Sequence, residues 1–218
     1  MKLRTKLYAA FMLLSSLVFS QTAKVQIIHN SPTPTVDIYA NGAKLLDNFA
    51  FRTATPYVDI PAGVVINVGV ALGTSATVRD TIANFPVTFQ AGKTYVVVAN
   101  GIVGNARSPF KLAVLDIGSE RSDAPSNVGI AFFHGSPDAP AVDIRTGGNV
   151  VFGNTSFGNF ARPSTPYANV PANATYQLQV TPGGSATPVV ASFEAKYICT
   201  SRCHAQRSGC SCYEYLCS

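Results

Sequence analysis

Histidine, serine and aspartate occur together twice in this chain, at a spacing that invites comparison with a hydrolase triad. The first set lies in HNSPTPTVDI, residues 29–38, and the second in HGSPDAPAVDI, residues 134–144. A Ser-His-Asp triad supplies a nucleophile, a general base and a carboxylate that orients the base. The candidate residues are His29, Ser31 and Asp37 in the first phrase, and His134, Ser136 and Asp143 in the second.

The context of these residues favours a structural role over catalysis. Triad members normally come from distant parts of a fold, and neither serine lies in a G-x-S-x-G turn. Ser31 and Ser136 each precede a proline, which restricts them to an extended or turn conformation. We therefore expect His to end one strand, Ser-Pro to turn the chain and Val-Asp-Ile to begin the next strand. The Asp would accept hydrogen bonds from the loop backbone or from the His. No catalytic residue is predicted.

Metal binding is the second chemistry that the same residues suggest. Calcium prefers about six or more oxygen ligands, and neither phrase contains a dense acidic loop, even with Asp138 included. One His and one Asp in each phrase are too few ligands for a transition metal. The cysteines, all of which follow Lys196, do not have the paired spacings of zinc sites. We expect no metal and no cofactor.

Aromatic side chains are the third candidate group, because exposed rings stack on sugars. Tyr39, Tyr57 and Tyr167, with Phe152, are candidate glycan contacts if they are exposed. The chain has no tryptophan, so its aromatic residues must also do much of the core packing. Packing positions are therefore the favoured interpretation of these rings.

The first residues predict export. Lys2, Arg4 and Lys6 precede a short apolar run, which is the pattern of a secretory signal peptide over residues 1–20. The run is shorter than the roughly 20 residues that span a bilayer. The mature chain is expected to be secreted or held at the cell envelope, with no transmembrane segment.

The charge distribution excludes one class of partner. The net charge of +5 comes entirely from the leader and from the segment that begins at Lys196. Residues 21–195 are therefore neutral and have no basic cluster, so nucleic acid is excluded as a partner.

Internal repetition organises the rest of the chain. TPYVDIPAG at 55–63 returns as TPYANVPAN at 165–173, and a polar linker over 118–127 separates the two halves. Short runs of β-formers alternate with turn signals, among them Asn41-Gly42 and the matching Gly147-Gly148. The pattern predicts an all-β protein with two tandem immunoglobulin-like β-sandwich domains, at 21–117 and 128–195.

The composition changes abruptly after Ala195. Residues 196–218 contain all five cysteines, and an exported chain with an odd number leaves at least one unpaired or paired between chains. Reading the gene one base later would turn each cysteine codon into a valine or alanine codon. The shifted frame would then resemble VTFQAGKTYVVVANG at 87–101 of the first half. We expect an incomplete second domain followed by a disordered or frameshifted tail.

The phrase H-x-S-P-x-(x)-P-x-V-D-I, its following glycine turn, the TPY…PAG corner and AGKTYVVVANG together resemble the DUF4397 family. This family of domains of unknown function occurs in exported bacterial proteins, often in tandem, and the resemblance implies an immunoglobulin-like extracellular or envelope module without an assigned activity. The expected function is a non-catalytic structural or adhesion module at the cell surface that binds a protein, an envelope component or a glycan. A carbohydrate-binding accessory protein is the alternative, and a hydrolase the third.

Overall fold

The computed structural model describes residues 21–124, 126–162 and 164–197, together with the backbone of a strand at 215–217. The expected signal peptide over 1–20 lies outside the described residues, as do four of the five cysteines. Among the described residues, no helix is long and apolar enough to cross a membrane.

The first half of the chain folds into nine strands that form two sheets. The strands are β1 (Thr22–Asn30), β2 (Val36–Ala40), β3 (Ala43–Phe49), β4 (Thr53–Ala54), β5 (Val58–Pro61), β6 (Val65–Leu72), β7 (Thr81–Thr88), β8 (Thr94–Asn100) and β9 (Lys111–Leu115). One sheet has the order β4-β1-β8-β9, with β5 also paired to β1, and the other has the order β3-β2-β6-β7. A single 3-10 turn at Val78–Asp80 precedes β7.

Alternation along the strands produces the core between these two sheets. Val25 on β1 and Val97 on β8 face inward with Ile66 on β6, and each is at most 6% exposed. The neighbouring residues Ile28 and Val98 belong to a different cluster on the other face of the β1 sheet. A sheet with apolar residues on both faces must be covered on both.

The predicted hairpin after β2 is confirmed. Asn41 and Gly42 have φ values of 48° and 88°, and they connect β2 to β3 with Ala40 opposite Ala43. A two-residue type I′ turn needs positive φ at both positions, which asparagine and glycine tolerate best. Gly147 and Gly148, with φ values of 54° and 81°, make the matching turn in the second half.

The second half repeats this strand order. Its strands are β10 (Asn127–Phe133), β11 (Val142–Thr146), β12 (Asn149–Thr155), β13 (Tyr167–Pro171), β14 (Ala174–Pro182), β15 (Ala191–Tyr197) and β16 (Tyr215–Cys217). The order β12-β11-β14-β15 matches β3-β2-β6-β7, and β16 runs parallel to β10 as β8 does to β1. β15 continues through Lys196 to Tyr197, which is buried.

The two halves share one apolar cluster. Phe133 and Phe160 of the second half pack with Ile28, Val98 and Leu115 of the first. Phe133 and Phe160 meet edge to face, with ring centroids 5.0 Å apart. The outer face of the β1 sheet is thus covered by the second half of the chain.

The prediction of an all-β protein with sheets packed in a sandwich-like arrangement is confirmed. The core of the second half includes Phe132, Phe152 and Leu178. The domain boundaries at residues 117, 128 and 195 stay predictions.

Candidate functional site

Both repeated phrases form a strand, a turn and a second strand, as predicted. β1 ends at Asn30 and β2 begins at Val36, while β10 ends at Phe133 and β11 begins at Val142. His29 is the second-last residue of β1 and His134 directly follows β10, and both are buried, with exposures of 0% and 1%. The histidines therefore lie inside the protein, whereas loop residues of the phrases, such as Thr33 and Asp138, are exposed.

Each histidine ring is held at both nitrogens by the backbone of its own loop. His29 Nδ1 accepts the Ser31 N–H at 3.2 Å, and its Nε2 lies 3.1 Å from the Pro34 carbonyl oxygen. The corresponding distances for His134 are 3.3 Å to Ser136 N and 2.9 Å to the Pro140 oxygen. Because Nδ1 accepts a hydrogen bond, the proton must be on Nε2, which donates to the carbonyl. The geometry assigns one neutral tautomer to both rings.

The extra residue of the second phrase is absorbed within the loop. The histidine reaches the carbonyl five residues ahead in the first phrase and six residues ahead in the second. In both phrases that carbonyl belongs to the proline that stands two residues before the Val-Asp pair. The bond is kept although the loop lengths differ.

The two aspartates bind the strand that follows in the hairpin. Asp37 Oδ1 accepts the Asn48 N–H at 2.8 Å, and Asp143 Oδ1 accepts the Asn154 N–H at 2.7 Å. Asn48 and Asn154 have φ values of 52° and 47°, at positions where the pairing register shifts. Each carboxylate thus fixes a β-bulge, in which the extra residue leaves its N–H without a ladder partner.

The second oxygen of each carboxylate is also bonded. Asp37 Oδ2 accepts from Lys44 Nζ at 2.7 Å and from the Ser75 hydroxyl at 2.6 Å. Asp143 Oδ2 accepts from Arg145 at 3.2 Å and from the Gly184 N–H at 3.2 Å. Each carboxylate therefore joins the hairpin to the turn that follows β6 or β14.

These bonds set the charge states of the buried groups. Burial raises the pKa of Asp37, but the hydrogen bonds from Lys44, Ser75 and the Asn48 backbone outweigh burial and hold the pKa at about 2. The same competition, with Asn154, Gly184 and Arg145 as donors, lowers the pKa of Asp143. Burial lowers the pKa of His29, and the hydrogen bond to Pro34 opposes this only in part.

The arrangement differs from that of a catalytic triad. The Ser31 hydroxyl donates to the Thr33 carbonyl at 3.3 Å, and it is the backbone N–H of Ser31 that meets the His29 ring. Asp37 and His29 have separate partners, on β3 and in the loop respectively. A triad needs the serine hydroxyl on one ring nitrogen and the carboxylate on the other.

The three candidate tyrosines occupy packing positions. Tyr39 is 3% exposed, and its hydroxyl lies 2.9 Å from Ser75 Oγ. Tyr57 and Tyr167 pack against the cluster shared by the two halves, and the Tyr167 hydroxyl accepts the Ser119 N–H at 3.1 Å. Phe152, the fourth candidate, is 1% exposed. A glycan role for these rings stays a prediction.

Among the described residues, no three His, Cys, Asp or Glu side chains lie close enough together to hold a metal ion, so these residues form no candidate metal site.

The partners of the aspartates are the residues that sequence reasoning missed. Asn48 and Asn154 each lie eleven residues after their aspartate, but Asp116–Asn127 and Asp138–Asn149 have the same spacing, so this shared spacing does not by itself identify the bonded pairs. Ser75 and Gly184 have no such shared signal, because one uses its side chain and the other its backbone.

A contact between the two phrases explains one difference in their sequences. Asn30 follows the first histidine, and Gly135 follows the second. A Cβ atom added to Gly135 would lie 1.8 Å from Asn30 Nδ2, so only glycine leaves room for the Asn30 amide. The two phrases meet where the halves of the chain touch.

The comparison with protein families gives one match. The model of a family described as a domain of unknown function, DUF4397, matches residues 23–145. It covers β1 to β9, both repeated phrases and β11 almost to its end. No curated protein matches the chain.

Proposed function

The chain belongs to the DUF4397 family, and from this premise we propose that it is an exported, non-catalytic structural or adhesion module of the cell surface or extracellular matrix. Its partner would be a protein, an envelope component or a glycan. The function is thus mechanical or adhesive, and the residues of the repeated phrases serve it by making the units rigid.

The full engagement of the repeated phrases carries this proposal. Both ring nitrogens of each histidine are bonded to backbone, and both oxygens of each aspartate are bonded to groups on other strands or turns. A general base needs a lone pair directed at a substrate, and a nucleophile needs an adjacent base. In this chain the ring nitrogens of the candidate histidines and the carboxylate oxygens of the candidate aspartates are already bonded within the fold.

We further propose that the two halves are tandem copies of one family domain, the second of which is incomplete. The repeated strand order and the paired Asp–Asn bonds support this. In the first half, Phe89 follows Thr88, the partner of Val65 in the strand pair; in the second half, Tyr197 follows Lys196, the partner of Thr175. Both aromatic rings are buried. The resemblance between the strands of the two halves thus extends to Tyr197, and the reading-frame change expected after Ala195 stays a prediction.

Cell fractionation tests the proposed address. A bacterial strain would express the full chain with a C-terminal tag, and the mature N-terminus would be read by mass spectrometry. We expect a chain that begins at Gln21 in the periplasm, outer envelope or medium. An uncleaved chain in the cytoplasm would contradict export.

A substrate panel tests the non-catalytic part separately. The purified chain would be incubated with chromogenic esters and glycosides, beside the His29→Ala and His134→Ala variants. We expect the wild type and both variants to give the same background rate. Turnover that either substitution abolishes would show that the phrase is an active site.

A further inference from the structure

An apolar cavity lies between the two sheets of the first half. Its volume is about 330 Å³, and its walls are side chains from both sheets, including Val25, Ile27, Ile38 and Val97. An engineered apolar cavity of about 150 Å³ already stays dry and binds benzene. This cavity is more than twice that size, within the range of natural ligand pockets, which begins at about 300 Å³.

The cavity follows β6 for several residues. Ile66, Val68 and Val70 of β6 line it at alternate positions, so it extends over four residue steps, or about 13 Å. Among its apolar lining residues, Leu45 of β3 and Val64 before β6 are 44% and 52% exposed, and we infer that the cavity opens between them. A long, narrow apolar occupant could enter between these two side chains.

The polar groups of the lining are already bonded within the protein. The Tyr39 hydroxyl is paired with Ser75, and Asn41 Oδ1 accepts the Asn67 N–H. Lys44, next to Leu45 in β3, forms ion pairs with Asp37 and Asp47. The site therefore offers no free charge to an acidic ligand, and an occupant must gain its affinity from apolar contact.

In the second half a larger side chain stands at the position equivalent to Ile27. Ile27 and Phe132 both lie two residues before the histidine of their phrase. Phe132 is 1% exposed, and its ring centroid lies 5.9 Å from that of Phe152. The smaller Ile27 side chain leaves the cavity volume open in the first half. An empty apolar cavity destabilises a core in proportion to its volume.

We propose that the first half binds a neutral hydrocarbon chain, free or as the acyl chain of a lipid, inside this cavity. The site is separate from the repeated phrases, and it goes beyond the structural role proposed above. The chain enters beside Leu45 and Val64 and lies along β6.

The test uses n-decanol and the full chain after passage over a hydrophobic resin to remove bound amphiphiles. We expect a 1:1 complex in native mass spectrometry and a melting temperature that rises with decanol concentration. Ile27→Phe, which copies Phe132, should raise the melting temperature without decanol and weaken decanol binding at least tenfold. Val114→Phe adds the same ring on an exposed position of β9 and should bind like the wild type.

A second filling variant guards against misfolding of the first. Ala99→Leu adds volume from β8, the strand beside Ile27 in the same wall, and should weaken decanol binding in the same way. Absence of a 1:1 complex with the wild type overturns the proposal, as does binding of wild-type strength by whichever filling variants fold.

Vesicles of phosphatidylethanolamine and phosphatidylglycerol distinguish the two sources of the chain. Transfer of one phospholipid from the vesicles to each protein assigns the site to lipid acyl chains. Decanol binding without lipid transfer assigns it to free amphiphiles.

Discussion

At the scale of single residues, the repeated phrase works by giving hydrogen-bond partners to buried and partly buried backbone groups. A buried N–H or carbonyl without a partner costs about 1–3 kcal/mol, and each histidine supplies one acceptor and one donor to its own loop. Each aspartate accepts a hydrogen bond from the N–H of a bulge residue, and that N–H has no partner in the strand ladder. His, Ser-Pro and Asp recur because both corners need the same bonds.

Removal of one buried carboxylate should destabilise the protein markedly. Asp37→Asn replaces charge-assisted hydrogen bonds to Lys44 and Ser75 with neutral ones, so we expect a loss of about 2 kcal/mol in the free energy of unfolding. Urea unfolding followed by circular dichroism measures it. Asp47→Asn is the matched control, because Asp47 pairs with the same lysine but is 63% exposed. Equal losses for the two variants would contradict a special role for Asp37.

The free energy of unfolding should decrease in two separate ranges as the pH is lowered. His29 is neutral in the fold and its pKa is lowered, so the unfolded chain binds more protons once the pH drops below about 6.5. Asp37 has a pKa of about 2, so its stabilisation is complete above about 4 and disappears as the pH falls toward 2. Urea unfolding at pH 8, 5, 4 and 3 measures both losses.

The variant His29→Gln separates the two pH windows. It should reduce the loss between pH 8 and 5, because glutamine does not titrate, and leave the acid window in place. A wild-type chain as stable at pH 5 as at pH 8 would show that His29 is not held neutral.

At the scale of strands, local patterns predicted much of the fold, and long-range pairing accounts for what they missed. Alternating apolar residues and the Asn41-Gly42 turn were sufficient to predict the β2–β3 hairpin, because its contacts are local. The parallel pair β1–β8 joins residues about 70 positions apart, for instance Lys24 with Thr94, and strand composition does not specify such a partner. The bulge at Asn48 was also missed, since it depends on a carboxylate that another strand supplies.

The bulge predicts that glycine destabilises the protein less than alanine does at position 48. Its φ of 52° lies in the left-handed region, which costs most residues about 1–2 kcal/mol and glycine nothing. Asn48→Ala should therefore lower the free energy of unfolding by about 1 kcal/mol, while Asn48→Gly should cost less, although glycine is normally the poorer strand residue. Thermal unfolding compares the two. A more stable alanine variant would mean that the bulge is absent in solution.

At the scale of the whole molecule, the two halves are joined through the outer faces of the sheets that contain β1 and β10. Ile28 and Phe133 occupy equivalent positions, each just before a phrase histidine, and both belong to the shared cluster. Sequence repetition predicted two similar units but not this contact, because a repeat carries no signal about which faces meet. The family match extends from β1 into β11, across the contact.

A double-mutant cycle at the contact of the two phrases tests this packing directly. Gly135→Ala places a Cβ atom where Asn30 Nδ2 lies, so the variant should lose several degrees in melting temperature. Asn30→Ala should be nearly neutral, because Asn30 Nδ2 is buried and has no hydrogen-bond partner among the described residues.

With the Asn30 amide removed, Gly135→Ala should be tolerated, so the double variant should be about as stable as Asn30→Ala alone. The coupling energy should then be at least about 1 kcal/mol, as expected for residues in contact. Additive losses would show that the two halves do not touch at these residues.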